Sequence, residues 1–196
     1  MDVKTYKCFP TSIHEVKMYI NEFDRRNMIA CTERGGDDEL HRISYFKPLV
    51  ENILISSEKI LKGGGYNFDK VEITNMWGNR LKEGESHPPH THSNNVLSGV
   101  YYLQSGSPIH FFDPRPASSV LKPSNTPDWD NSSMIEFNSV VNTALFFPSW
   151  LMHWVPPTPN ERISISWNIL IRGHYGEPHT LQNAYIKKER SLSSSG

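Results

Sequence analysis

Cysteine is nearly absent from this chain: Cys8 and Cys31 are the only two among 196 residues, and no Cys-x-x-Cys occurs. Both precede the strand-rich region, so the pattern argues against a disulfide scaffold and fits a reducing cytoplasm. An excess of charge of one sign is missing too. The formal net charge is −1, so no long-range field draws the molecule to nucleic acid or to an anionic bilayer. No run reaches the roughly 20 apolar residues that cross a membrane. Met1 to Pro10 lacks the apolar stretch of a signal peptide. Together these absences predict a soluble, cytoplasmic protein with no nucleic-acid and no membrane partner. Internal repeats are absent as well.

What is there suffices for a folded domain. Hydrophobic residues make up 37% and aromatic residues 11% of the chain, enough for one core in a single domain spanning 1–196. Residues 1–65 carry helical patterns. Thr11-Ser12 followed by Ile13, Val16, Met18, Tyr19, Ile20 and Phe23 predicts an amphipathic helix, with Ser12 to Glu15 as a capping box. Arg34 to Asp38 is a polar loop. A second helix is expected from about Tyr45 to Leu61, ended by Gly63-Gly64-Gly65.

After Gly65 the pattern changes. Val71–Trp77, Val96–Leu103, Pro108–Phe112, Met134–Phe137, Thr143–Phe147, Trp150–Val155 and Arg162–Ile171 are short, β-branched or aromatic runs bounded by Pro, Gly, Asn and Asp. Many short strands without intervening helices imply a mainly β domain, a sandwich or jelly roll over 71–172. The span Asp113–Ser133 reads as a long surface loop. Residues 173–196 form a tail whose last part, Ser191–Gly196, is expected to be disordered.

The chemistry-bearing residues cluster in pattern. In His90-Thr91-His92 the two imidazoles share a face if the backbone is extended. A third, His153, comes from a remote strand and could close a three-ligand metal site. Imidazole suits iron, zinc, copper and nickel alike. Arg162 follows His153 across a Pro-rich connection, which places the two on neighbouring strands. In Arg162-Ile163-Ser164-Ile165-Ser166-Trp167-Asn168-Ile169 the polar residues alternate cleanly with apolar ones. That face either meets water or lines a ligand pocket. Tyr102 shares the parity of His90 and His92 if the chain stays extended through Ser93 to Asn95, and is otherwise a packed core tyrosine. His87 is placed at the pocket entrance, with Trp77 and Asn79 at its border. His14, His41, His110, His174 and His179 are taken as ordinary surface or core histidines.

His90-x-His92, Ser98-Gly-Val-Tyr-Tyr102, Asp113-Pro-Arg115, Phe147-Pro before His153, and Arg162 nine residues later resemble the iron(II)/2-oxoglutarate-dependent dioxygenase superfamily. The nearest likeness is to its prolyl-hydroxylase-like branch, and within it to the 2-oxoglutarate-iron oxygenases of marine bacteria and their phages. The resemblance covers roughly Ile73 to Ile171. It implies a double-stranded β-helix with supporting N-terminal α-helices and iron(II) at His90, His92 and His153. Arg162 would clamp the distal carboxylate of 2-oxoglutarate, and Tyr102 and Ser166 would contact the cosubstrate. Ser164 and Asn168 share that face of the strand. With O2, the implied reaction couples oxidative decarboxylation of 2-oxoglutarate to C–H hydroxylation of a peptide or small molecule. The sequence leaves the substrate open, and likewise whether the chain forms a homo-oligomer.

One position departs from the family pattern. His92 stands where the superfamily usually carries Asp or Glu. Three neutral ligands leave the site one negative charge short, which should weaken its hold on iron(II). Asp113 is the reserve carboxylate. Two rival readings remain. A cupin-type metalloenzyme fits Gly84-x5-His90-x-His92, although Val96 and Leu97 occupy the places of the expected glutamate. A non-catalytic β-sandwich module or phage structural protein is the other.

Overall fold

The computed structural model describes residues 1–115, 117–118, 120–177, 179 and 181–187. The chain runs through β1 (His14–Lys17), α1 (Glu22–Thr32), two 3-10 turns, α2 (Lys47–Gly63), β2 (Lys70–Leu81) and β3 (His87–His90). Next come β4 (Leu97–Gln104), β5 (Ile109–Phe112), β6 (Met134–Phe137), β7 (Thr143–Pro148), β8 (His153–Val155), β9 (Arg162–Tyr175) and β10 (Ala184–Ile186).

Two antiparallel sheets form. The large one runs β1-β7-β4-β9, with β2 and β10 both on β9, and the small one runs β3-β8-β5-β6. They enclose a shared core in which Val100, Tyr102, Leu145 and Phe147 of the large sheet meet Ile109, Phe111 and Val155 of the small one. A second core lies on the other side of the large sheet. There Ile163, Ile165, Trp167 and Ile169 of β9 pack with Leu49 and Ile53 of α2 and Met28 of α1. This is a mainly β jelly roll buttressed by N-terminal helices. Both faces of the large sheet are buried, so β9 needs apolar residues on one face and internally satisfied polar residues on the other. Gly99 serves the packing directly: a Cβ there would collide with the Trp167 ring.

The segment expected to be the first helix is a strand edge followed by a later helix. Val16, Met18 and Ile20 turn inward while Glu15, Lys17 and Tyr19 are exposed. That is a period of two, and β1 pairs with β7 in the register Val16↔Ala144. The helix begins at Glu22, where the Asn21 side chain accepts from the Asp24 backbone N–H at 2.9 Å. The second helix is found where its apolar spacing puts it, and Gly65 beyond its end has φ +80°. The seven strands expected after Gly65 hold their places, except that β2 and β9 run longer and β8 is shorter; β3 is an additional strand. Beyond 172, β9 continues to Tyr175 and β10 pairs with it, so that part is not a loose tail. Ser191–Gly196 lies outside the described residues. The polar loop at 34–38 and the irregular stretch between β5 and β6 are both present.

Candidate metal centre and cosubstrate pocket

His90 ends β3 and His153 opens β8, and the two are directly paired in the small sheet. His92 lies past the strand end, where its backbone N–H donates to Ser149 O at 2.9 Å. The three rings converge. Centroid separations are 4.3 Å for His90–His153, 5.1 Å for His92–His153 and 5.2 Å for His90–His92. One nitrogen from each lies within 4.8 Å of the other two.

Hydrogen bonding at the far side of each ring tells which nitrogen is free. His90 Nδ1 faces Pro88 O at 2.8 Å, and His153 Nδ1 faces Leu151 O at 2.9 Å. A backbone carbonyl can only accept, so both rings carry their proton on Nδ1. His92 Nδ1 faces Asn168 Oδ1 at 2.8 Å. Each Nε2 is then a lone pair. His92 Nε2 and His153 Nε2 stand 3.3 Å apart. Adjacent nitrogens each ~2.1 Å from one metal lie about 3 Å apart, so this spacing suits two ligands of one ion. Burial depresses the basicity of His92 and His153 in this cluster, and of His87 beside it. His153 is lowered to about 4, mainly by burial and further by the neighbouring imidazoles. His92 and His87 are lowered by burial first, His87 also by Arg162. His92 and His153 are thus held in the neutral form that binds metal, and a set of imidazole nitrogens fits a divalent cation of the borderline class.

Across from the small sheet, β9 supplies Arg162, which is 1% exposed. Its Nε donates to Ser107 O and its Nη1 to Ser164 Oγ, both at 3.1 Å. Among the described residues, acidic partners lie within 4 Å of Arg25, Arg26, Arg42, Arg80, Arg115 and Arg172, a set that excludes Arg162. A buried cation without a counter-ion is costly, and the cost is relieved by a bound anion. The Arg162 guanidinium lies 5.1 Å from the Tyr102 ring centroid. The Tyr102 hydroxyl is buried without a well-formed hydrogen bond, and burial pushes its pKa up to about 12. An orphan donor and an unpaired guanidinium together fit a carboxylate.

One cavity of about 280 Å³ joins Arg162 to the three imidazoles. The three imidazoles, Arg162, Ser164 and Ser166 line it, as do Trp77, Asn79 and His87. The polar face of β9 therefore lines a pocket, the rarer of the two alternatives. His153 and Arg162 are not on neighbouring strands. They sit on β8 and β9, in facing sheets, and reach one cavity from opposite sides. The parity linking Tyr102 to His90 and His92 also fails, because Asn94 with φ +62° turns the chain from the small sheet to the large one. Tyr102 reaches Arg162 through the alternation of β4 alone. Asn168 stands behind His92, where it also accepts from Ser98 Oγ at 2.7 Å and donates to Asn75 Oδ1 at 2.9 Å. Asp113 is held by Arg115 through bonds of 2.9 and 2.8 Å, which keeps its carboxyl well below the usual range. It is structural and belongs to no metal cluster of the described residues. Sequence reasoning missed Ser98 and its bond to Asn168. A lone serine in the apolar run Val96–Leu103 was the available signal.

The fold and site define a jelly roll whose three imidazoles fit a metal ion and share a cavity with a buried arginine. The family model described as "Putative 2OG-Fe(II) oxygenase" matches residues 75–168, the stretch holding all three imidazoles and Arg162. No curated protein matches the chain by sequence. A prolyl-4-hydroxylase of Pseudomonas putida superposes with a TM-score of 0.59 at 14% identity, over 82% of this chain and 86% of that one. A viral collagen prolyl hydroxylase from Paramecium Bursaria Chlorella virus-1, solved with 2-oxoglutarate, gives 0.53 at 13%, over 80% and 94%. HygX of Streptomyces hygroscopicus, solved with nickel and 2-oxoglutarate, gives 0.55 at 10%, over 82% of each chain. The chain matches the 2-oxoglutarate/iron(II) oxygenase family over residues 75–168 and shares its fold with prolyl hydroxylases. It is an enzyme of the class that uses iron(II), 2-oxoglutarate and O2. The cupin and binding-module readings are set aside by the family match. Among the described residues no helix is long and apolar enough to cross a membrane.

Proposed function

We propose that the protein hydroxylates a C–H bond of a peptidyl or small-molecule substrate, with His90, His92 and His153 holding iron(II) and Arg162 holding 2-oxoglutarate. One observation carries the reading: a buried guanidinium without an acidic partner shares a cavity with three imidazole lone pairs. When bound, iron(II) and 2-oxoglutarate supply oxygen activation coupled to decarboxylation, releasing succinate and carbon dioxide.

The chain's own residues position and shield. Arg162 offers its remaining N–H groups to the distal carboxylate, in the planar fork that suits a carboxylate. Tyr102 and Ser164 add neutral partners on either side of it. Ser166, tied to Asn79 Nδ2 at 2.9 Å, gives the adjoining wall a fixed polar contact. Phe147 packs on His153 at 4.8 Å and Trp77 stacks on His92 at 5.7 Å, so apolar rings cover two of the imidazoles. Water exclusion of this kind strengthens each electrostatic contact inside. Both cysteines are free thiols, which supports a reducing, cytoplasmic setting where iron stays divalent.

The test is an anaerobic visible spectrum of the metal-free protein on adding iron(II) and then 2-oxoglutarate. The expected result is a charge-transfer band that needs both additions, with succinate formed once O2 is admitted. Iron binding with neither a band nor succinate would overturn the cosubstrate assignment.

A further inference from the structure

The three imidazoles are not held alike. His90 and His153 each point Nδ1 at a backbone carbonyl, which can only accept a hydrogen bond. His92 points Nδ1 at the side-chain amide of Asn168. A primary amide has an oxygen at one end and N–H groups at the other, so it can favour either tautomer of its partner. With the oxygen towards His92, the proton sits on Nδ1 and the Nε2 lone pair faces the other two rings. With the amide reversed, Nδ1 becomes the acceptor, Nε2 carries the proton, and His92 cannot be a ligand.

The contacts around Asn168 are those of the first orientation. Ser98 Oγ donates to the same oxygen at 2.7 Å, and Asn168 Nδ2 donates to Asn75 Oδ1 at 2.9 Å. Ser149 closes the ring of contacts. Its Oγ meets Ser98 Oγ at 2.8 Å, and its carbonyl receives the His92 backbone N–H at 2.9 Å. Asn168 is 5% exposed, while Ser98 and Ser149 are fully buried. Ser98, Ser149 and Asn168 thus form a buried hydrogen-bonded network, and such networks are rigid.

We infer that Asn168 is a positioning residue that makes His92 a metal ligand by fixing its tautomer, with Ser98 and Asn75 fixing the amide in turn. This rests on the proposal that the three histidines hold the metal. It adds a specific claim: the ligand replacing the usual carboxylate depends on a side-chain amide, whereas the other two depend on the backbone. Partners behind a ligand of this kind typically change metal affinity about 10–100-fold.

The experiment compares the wild-type protein with Asn168→Ala and Asn168→Asp. Cobalt(II) and iron(II) affinity is measured by competition with a chelator, together with the cobalt(II) absorption spectrum. Asn168→Ala is expected to bind both metals about 10–100-fold more weakly, with a shifted cobalt band. Asn168→Asp keeps the accepting oxygen and is expected to bind at least as tightly as wild type, Asn75 turning its own amide to donate. Long-range proton–nitrogen NMR of the metal-free protein reads the tautomers without any metal. His92 should carry its proton on Nδ1 in the wild type and in Asn168→Asp. Should the alanine variant not fold, the Asp variant and the wild-type tautomer still decide. An Nε2–H tautomer of His92 in the wild type overturns the inference, as does an aspartate variant with weakened binding or an alanine variant with unchanged affinity and band. A wild-type protein that takes up neither metal overturns the metal assignment itself, and this inference with it.

Discussion

The two sheets divide the work of the site unequally. The large sheet has long strands, with β9 spanning Arg162–Tyr175, and is buried on both faces. The small sheet is made of strands of three or four residues, with half-buried or exposed outward positions. Arg162, the proposed clamp, is built into the first and the three imidazoles are carried on or just beyond the second. A buried guanidinium without a counter-ion survives only where the frame over-determines it, and the large sheet with its helical backing is such a frame. The proposed metal ligands are held differently: His90 and His153 by local bonds to Pro88 O and Leu151 O, His92 by Asn168 Oδ1 of β9. Short strands therefore suffice for His90 and His153, whereas His92 leans on the large sheet.

The contrast is open to attack, first in stability. Trp167→Ala, under the helices, is expected to cost about 3–5 kcal/mol in urea unfolding. Ile135→Val, half-buried in the small sheet, is expected to cost only about 0.5–1 kcal/mol. Equal losses would remove the distinction between frame and platform.

Arg162→Leu should separate folding from binding. Cosubstrate affinity is expected to fall by about 2–5 kcal/mol, because a buried charge-assisted contact is lost. Metal affinity should be unchanged, and metal-free stability equal or higher, since an uncompensated buried cation is gone. Titration calorimetry and thermal unfolding read these quantities, and normal turnover of 2-oxoglutarate would remove the clamp.

Acid tests the small sheet. His153 is lowered to about 4 from an ordinary 6.5 by burial. Between those values the unfolded chain takes up a proton that the folded protein refuses. Stability of the metal-free protein should be whole above pH 6.5 and decline as the pH falls towards 4. The loss is on the order of 3 kcal/mol. Urea titrations at stepped pH measure it, and His153→Gln should flatten that slope; an unflattened slope would place its cause elsewhere.

The smallest effect belongs to the loop after β5. Asp113→Asn breaks the pair with Arg115, which is largely exposed, and should cost at most about 1 kcal/mol. Metal affinity should not change. A fall in it would return Asp113 to the ligand set.

Much of this was legible in the chain, unevenly. The alternation of Arg162 to Ile169 marked a two-faced strand, and α2 followed from its apolar spacing and its glycines. The stretch from Val16 to Ile20 misled, because a short apolar run satisfies a helical and an alternating pattern at once, and only pairing with β7 settles it. His90, His92, His153 and Arg162 stood out by residue type and order. Their geometry did not, since sequence order placed His153 and Arg162 side by side while the sheets put them opposite.

Residue identities thus fixed the chemistry on offer: three imidazoles, one guanidinium and a ladder of small polar groups. Which of them meet, which nitrogen of each ring is free, and which charge lacks a partner were decided by the packing of two sheets. Coordination and charge compensation depend on distances of a few ångströms between residues as far apart as His92 and Asn168, and only a closed tertiary structure sets those distances.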